Sequence, residues 1–133
     1  SYSALPILST FYPPHMLMSM VQSCLPLNQA WILHSWFSVI HFLFASIGAY
    51  LLFAGYGQLV AVFGAVTFAY MGYAVKQNAP IIYTLSWIPW VLLGAELHSP
   101  ALMGLSLGMM TLAGYWPIGI YAWILSGFYW LSR

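Results

Sequence analysis

Long apolar stretches alternate with short breaks that contain glycine, proline or polar residues. Residues 30–54 are apolar over about 25 positions, and residues 59–75 form a second apolar stretch after Gly55-Tyr56-Gly57. A helix needs about 20 apolar residues to cross a hydrocarbon core of roughly 30 Å. The pattern therefore predicts two membrane-spanning helices in the first half of the chain, with Asn28 as the N-cap of the first.

The second half of the chain repeats this pattern with shorter segments. Three more helical segments are predicted there, at residues 81–97, 101–113 and 118–130. Pro89 is expected to kink the first of them, and Pro100 suits the first turn of the next. The segment at 101–113 is too short to cross an average bilayer alone. We therefore predict an all-α, polytopic integral membrane protein with about five hydrophobic helical segments and short loops.

The N-terminal region differs from the rest because it is rich in proline. Residues 1–29 contain Pro6, Pro13, Pro14 and Pro26. Tandem proline disfavours regular helix, so we expect an ordered interfacial segment here, with a short helical piece at about residues 15–23. The expected organisation is a single transmembrane domain, with this interfacial segment followed by a helical bundle at residues 30–133.

Composition supports the membrane interpretation. Of 133 residues, 2% are charged and 63% are hydrophobic, with a mean hydropathy of +0.89; soluble domains carry about 25% charged residues. The three formal charges are Lys76, Glu96 and Arg133. Because they cannot cover a water-facing surface, the expected partners are membrane lipids and other transmembrane subunits. No basic patch exists for nucleic acid.

The chain's single lysine lies in the loop between two predicted spans, beside two amides. A lysine costs several kcal/mol at the centre of a bilayer, so a loop is where it costs least. Lys76 therefore marks a membrane boundary, or it joins Gln77, Asn78 and His15 in a polar site for a lipid headgroup. Both interpretations stay open from the sequence.

Two histidines lie within the first predicted span. His34 and His41 are seven residues apart and share one helix face. Each is a candidate axial ligand for a haem or a chlorophyll-type pigment, although together they cannot hold opposite sides of one haem. The alternatives are interhelical hydrogen bonding, to a backbone carbonyl or to a serine at position 35, 38 or 46, and a role in a proton path.

The remaining polar residues predict no further cofactor. Glu96 and His98 give only two ligands, which is an incomplete metal site, and they are expected to mark the end of a span. No cofactor is required by the sequence, whereas bound lipid is expected.

Four segments of the chain read LPILSTFYPPHML, LHSWFSVIHFLFASIGAYLLF, FGAVTFAYMGYAVKQNAPIIYTLSWIPWVLL and LAGYWPIGIYAW. Taken in this order and spacing, they resemble the YfhO-like bacterial membrane proteins of the GT-C type glycosyltransferase superfamily. The resemblance implies a bacterial inner membrane protein with an extracytoplasmic site for a lipid-phosphate sugar donor. It would place Lys76 near the lipid phosphate.

The chain departs from that family where the chemistry is done. It has no aspartate, and its one acid, Glu96, falls at the opposite membrane face. Tyr115-Trp116-Pro117 stands where the family usually has His-Pro-Gln. We therefore predict a non-catalytic accessory or structural subunit of a larger membrane complex, resembling a truncated GT-C module. The alternatives are a fragment of a lipid-linked-sugar glycosyltransferase, and a pigment- or haem-binding subunit of a photosynthetic or respiratory complex.

Overall fold

The structure is a computed structural model that describes residues 11–74 and 79–132, with side chains described for 11–70 and 81–132. These ranges contain helices and no strand, which confirms the predicted all-α class for the described part of the chain. The elements, in chain order, are α1 (Pro13–Ser23), α2 (Leu27–Phe53), a 3-10 turn (Ala54–Tyr56), α3 (Gln58–Ala74), α4 (Ala79–Leu85), α5 (Ile88–Glu96), α6 (Pro100–Leu112) and α7 (Trp116–Ser132).

The longest helix is α2, which continues into the 3-10 turn. In the described ranges, Leu27–Tyr56 is the one helix whose length and composition would allow it to cross a membrane. Its 30 residues would extend about 45 Å at 1.5 Å per residue. The helix begins after Pro26, whose backbone is extended, so the prediction of Asn28 as N-cap is wrong. Asn28 instead accepts a hydrogen bond from the N–H of Gln29 at 2.9 Å.

The tandem proline starts a helix instead of preventing one. Pro13 and Pro14 occupy the first positions of α1. The N–H groups of a helix's first turn have no partner within the helix, so proline loses no hydrogen bond there. The expectation of irregular backbone across the tandem proline is therefore wrong from Pro13 onward. The interfacial location of residues 1–29 stays a prediction.

Helix α1 runs antiparallel to the first half of α2. At its end, the Gln22 side chain donates to the carbonyl oxygen of Ala30 at 3.1 Å. At its start, the Tyr12 hydroxyl meets His41, which lies halfway along α2. Tyr12, the residue just before α1, therefore lies beside the middle of α2 and not beside its beginning.

The helix predicted at residues 81–97 is divided into two. Proline lacks an N–H group, and its ring crowds the carbonyl four residues earlier, so Pro89 interrupts the helix near Leu85. The structure shows α4 ending at Leu85 and α5 beginning at Ile88. The Ser86 hydroxyl donates to the carbonyl oxygen of Tyr83 at 2.8 Å and satisfies one group left open by the break.

Helix α5 runs alongside α2 and α6 returns against it. The Trp90 indole N–H donates to the carbonyl oxygen of Phe44 at 3.0 Å. At the far end of α5, Gly94 lies directly against the backbone of Met103 in α6. Pro100 occupies the first turn of α6, as predicted, and the N-cap Ser99 accepts from the N–H of Leu102 at 3.3 Å. Two buried clusters result, one around Tyr12 and Tyr83 and the other around Val91 and Met110.

Candidate functional site

A buried hydrogen-bonded chain joins three parts of the molecule at the middle of α2. The hydroxyl of Tyr12 lies 2.8 Å from Nε2 of His41. The indole N–H of Trp87 donates to the same Tyr12 oxygen at 2.9 Å. Tyr12 and His41 are 0% and 5% exposed. We call this set, Tyr12, His41 and Trp87, the buried polar triad.

The other nitrogen of His41 determines the direction of every hydrogen bond in the triad. Nδ1 lies 2.9 Å from the carbonyl oxygen of Phe37, one turn earlier in α2. A carbonyl oxygen only accepts, so Nδ1 carries the hydrogen and Nε2 of the neutral ring accepts from the Tyr12 hydroxyl. The order of donation is therefore Trp87 to Tyr12 to His41 to the Phe37 carbonyl. Burial raises the pKa of Tyr12 to about 12, which keeps the phenol a neutral donor.

Local sequence explains how the three residues meet. Tyr12 is the N-cap of α1 and is held in extended backbone by the prolines that follow it. Trp87 lies in the break that Pro89 imposes between α4 and α5, where it is the N-cap residue of α5. His41 lies on the face of α2 that also buries Ala45 and Gly48. The prolines that follow Tyr12 and Trp87 therefore position Tyr12 against His41 and Trp87 against the Tyr12 hydroxyl.

A second tyrosine packs against the triad without joining its hydrogen bonds. The Tyr83 ring stacks on Tyr12 with ring centroids 5.9 Å apart, and it lies 4.6 Å from the ring of His41. Phe37 meets it edge-on at 5.1 Å. Tyr83 is 2% exposed, and its hydroxyl has no hydrogen-bond partner among the described residues.

One residue of the predicted lipid-headgroup site, His15, lies close to this cluster. The half-buried ring of His15 lies 6.5 Å from the rings of both Phe37 and Tyr83. Burial, together with the charge that His34 can carry, lowers the pKa of His15 below its usual range. His15 is therefore a neutral side chain near neutral pH. The other residues of the predicted lipid-headgroup site, Lys76, Gln77 and Asn78, lie outside the described residues.

The two candidate pigment ligands have different environments. His41 engages Nε2 with the Tyr12 hydroxyl and Nδ1 with the Phe37 carbonyl oxygen, so neither nitrogen is open to a metal. His34 is half-buried, contacts Trp31 edge-on at 6.4 Å and borders an open groove with Gln22. Across the described ranges, no group of three or more metal-ligating side chains is present. The partners of His41 are a carbonyl oxygen of its own helix and Tyr12, whereas the sequence predicts an interhelical carbonyl or a serine.

The chain's one acid lies at the other end of the bundle. The Tyr129 hydroxyl of α7 donates to the Glu96 carboxylate. His98 follows in the turn, exposed and with a positive φ of 50°, and its ring lies 5.9 Å from Trp130. Glu96 and His98 mark the end of α5, where sequence analysis placed them. This end is separated from the triad by the length of α5.

Sequence analysis missed the triad because its members are 29 and 75 residues apart. The chain has ten tyrosines and seven tryptophans, so nothing in the pattern selects Tyr12 as the partner of His41 or Trp87 as the partner of Tyr12. The positions of Tyr12 before a tandem proline and Trp87 before Pro89 were the available signals. Comparison with protein-family models, with curated proteins and with solved structures found no match. The resemblance to the YfhO-like proteins therefore stays a prediction.

Proposed function

We propose that this chain is a non-catalytic structural subunit of a larger membrane assembly, built as a polytopic, GT-C-like module. The observation that carries the proposal is an apolar surface that extends over all the longer helices. Each of these helices has at least one large apolar side chain that is more than half exposed. Examples are Leu17 in α1, Trp36 in α2, Phe63 in α3, Leu105 in α6 and Phe128 in α7. Surfaces of this kind mark contacts with lipid or with other proteins.

The longest helix supports a membrane location. Only 22% of the most apolar window within Leu27–Tyr56 is buried inside the molecule. A core helix of a soluble domain would be mostly buried, whereas a membrane helix keeps apolar side chains toward lipid. The shorter apolar segments Gln58–Tyr70 in α3, Ile81–Glu96 across α4 and α5, and Pro100–Leu112, which is α6, extend the same character to the rest of the bundle. Their alternating directions beside α2 favour a polytopic arrangement.

The buried polar groups support a structural role over a catalytic one. His41 has both nitrogens engaged, and the Tyr12 hydroxyl both donates and accepts. A fully satisfied buried network fixes one packing arrangement, because any rearrangement leaves a polar group without a partner. The Glu96 carboxylate is likewise held by Tyr129. The GT-C origin rests on the sequence resemblance alone, and the geometry of His41 gives no support to pigment ligation.

The proposal is tested by extracting the protein from the membranes of cells that express it naturally. An integral subunit stays in the membrane during an alkaline wash and is released by mild detergent. In detergent it should migrate together with other proteins, at a mass well above the 14.9 kDa of the chain. Release by the alkaline wash would contradict the membrane location, and a detergent-solubilised species of single-chain mass would contradict the assembly.

A further inference from the structure

A groove with both polar and apolar walls lies where the end of α1 packs against the start of α2. Its walls are Gln22 from α1 and Leu27, Ala30, Trp31 and His34 from α2, and its volume is about 280 Å³. Ala30 is the smallest of these side chains and lies one turn before His34, so it leaves room beside the His34 ring.

Gln22 is anchored at one wall of the groove by a hydrogen bond to the backbone. Its Nε2 donates to the carbonyl oxygen of Ala30 at 3.1 Å. An amide nitrogen carries two hydrogens, so a second N–H remains after this bond is made. The anchored amide therefore gives the groove one hydrogen-bond donor.

His34 gives the groove a second donor. Its half-buried ring meets Trp31 edge-on at 6.4 Å. Within the described ranges the ring nitrogens form no hydrogen bond, and the contact with Ser38 at 3.4 Å uses the backbone carbonyl of His34. A neutral imidazole carries one N–H and a protonated one carries two, so the ring can donate in either state.

Two such donors in one groove suit an oxygen atom that accepts more than one hydrogen bond. A carbonyl oxygen has two lone pairs and carries no charge, so it loses less hydration energy in a partly apolar groove than a phosphate does. None of the five lining residues is a lysine or an arginine, which are the usual partners of a phosphate.

The position of His34 along α2 selects one kind of membrane carbonyl. The candidate span Leu27–Tyr56 would extend about 45 Å, and the hydrocarbon core is roughly 30 Å thick, so a centred span has about 7 Å beyond the core at each end. His34 is about 10 Å along the helix axis from Leu27, and hence just inside the boundary of the core. The ester groups of glycerolipids, which join the headgroup to the acyl chains, lie at this boundary.

We propose that Gln22 and His34 bind an ester carbonyl oxygen of a membrane glycerolipid. The glycerol and the headgroup then extend past Leu27 toward the turn between α1 and α2, and the acyl chain continues along α2 toward the centre of the membrane. The inference rests on the membrane location proposed above and adds a specific lipid site to it.

The test compares two lipids that differ only in their carbonyl groups. The purified protein, in a maltoside detergent that has no carbonyl group, is titrated with a short-chain diacyl phosphatidylcholine or with its dialkyl ether analogue. The saturable rise in Tm gives the apparent affinity for each lipid.

Two variants change the groove in different ways. His34→Leu removes the ring N–H and leaves the contact with Ser38, which uses the backbone. Ala30→Leu fills the groove and keeps the bond from Gln22, because that bond also uses a backbone carbonyl. His98→Asn is the matched control, since His98 is exposed at the other end of the bundle and asparagine tolerates its positive φ of 50°.

The native protein should bind the ester lipid about tenfold more tightly than the ether lipid, which is the effect of hydrogen bonding to a carbonyl. His98→Asn should keep this difference. His34→Leu should lose most of it, because the affinity for the ester lipid falls toward that for the ether lipid. Ala30→Leu should abolish saturable binding of both lipids.

Three outcomes would overturn the proposal. Equal affinities of the native protein for the two lipids would mean that the groove recognises no carbonyl. A difference that persists in full in His34→Leu or in Ala30→Leu would place the bound ester elsewhere on the protein. The absence of a saturable response to either lipid would mean that the groove takes no glycerolipid. None of these results bears on the membrane location, since the alkaline wash tests that separately.

Discussion

The Tyr12 hydroxyl donates a hydrogen bond of 2.8 Å to Nε2 of His41, joining the residue before α1 to the middle of α2. The same oxygen accepts the indole N–H of Trp87, which lies in the break between α4 and α5. One phenol oxygen therefore connects three helical elements that the sequence separates widely. Apolar contacts are not directional, so an apolar bundle can pack in several ways. A buried hydrogen bond of this kind specifies a single packing arrangement.

The first prediction concerns that oxygen. Tyr12→Phe removes it and leaves Nε2 of the buried His41 and the N–H of the half-buried Trp87 without partners. A fully buried unpaired group costs about 1–3 kcal/mol and a half-buried one costs less, so we expect a loss of about 2–4 kcal/mol in the free energy of unfolding. Denaturation of the detergent-solubilised protein measures it, with Tyr121→Phe as the exposed control. A loss below about 0.5 kcal/mol in Tyr12→Phe would show that the triad does not stabilise the fold.

The second prediction compares two glycines in adjoining helices. A Cβ at Gly94 would lie 2.7 Å from the backbone nitrogen of Met103 and 2.9 Å from its Cα, and backbone atoms cannot move aside as a flexible side chain can. Gly94→Ala should therefore push α5 away from α6 and cost about 1–3 kcal/mol.

Gly104, in α6, is the matched control for Gly94. A Cβ there has no neighbour within 4 Å. Gly104→Ala should be neutral or stabilising by up to about 1 kcal/mol, because alanine favours helix. Thermal unfolding of the two variants in the same detergent gives the comparison. Equal effects would mean that α5 and α6 do not pack as described.

The third prediction is a pH dependence that comes from His15. Its pKa in the folded protein is lowered, chiefly by burial and also by the charge on His34. The unfolded chain thus binds a proton more readily than the folded one, so this stabilisation is present above about pH 6.5 and is lost as the pH falls. We expect Tm to fall between about pH 7.5 and about pH 5, and to fall less in His15→Gln. Identical pH profiles for the two proteins would refute a role for His15.

The hydropathy pattern predicted the positions of most helices well, because the ends of an apolar stretch closely define where a helix starts and stops. The prediction for residues 59–75 differs from α3 by one residue at its start, and the prediction for 101–113 differs from α6 by one residue at each end. The role of Pro100 was also predictable, since proline at a helix start has a local cause. These features depend only on neighbouring residues.

Features that depend on distant residues were not predictable. Asn28 is a good N-cap by residue type. The helix α2 nevertheless begins after Pro26, at the turn where the chain reverses direction between α1 and α2. Tandem proline is unfavourable inside a helix but favourable at its start. In the structure Tyr12 is the extended N-cap, so the two prolines lie at the start of α1. Twenty-five aromatic residues offer too many pairings for sequence alone to select Tyr12 with His41.

The central claim is that this chain is embedded in a membrane and crosses it more than once. Its single cysteine, Cys24, is exposed in the turn between α1 and α2 and gives a natural reporter. In a Cys24→Ser background, Tyr56→Cys reports the end of α2 and Trp116→Cys reports the turn between α6 and α7. Both of these positions are exposed.

Labelling with a membrane-impermeant maleimide, on sealed vesicles of each orientation, tests this claim most directly. Our account predicts that Cys24 and the position-116 cysteine are labelled from one side only, and that the position-56 cysteine is labelled only from the other side. Labelling of Cys24 and the position-56 cysteine from the same side would contradict it, because α2 would then not cross the membrane. Labelling of the position-56 and position-116 cysteines from the same side would contradict repeated crossing.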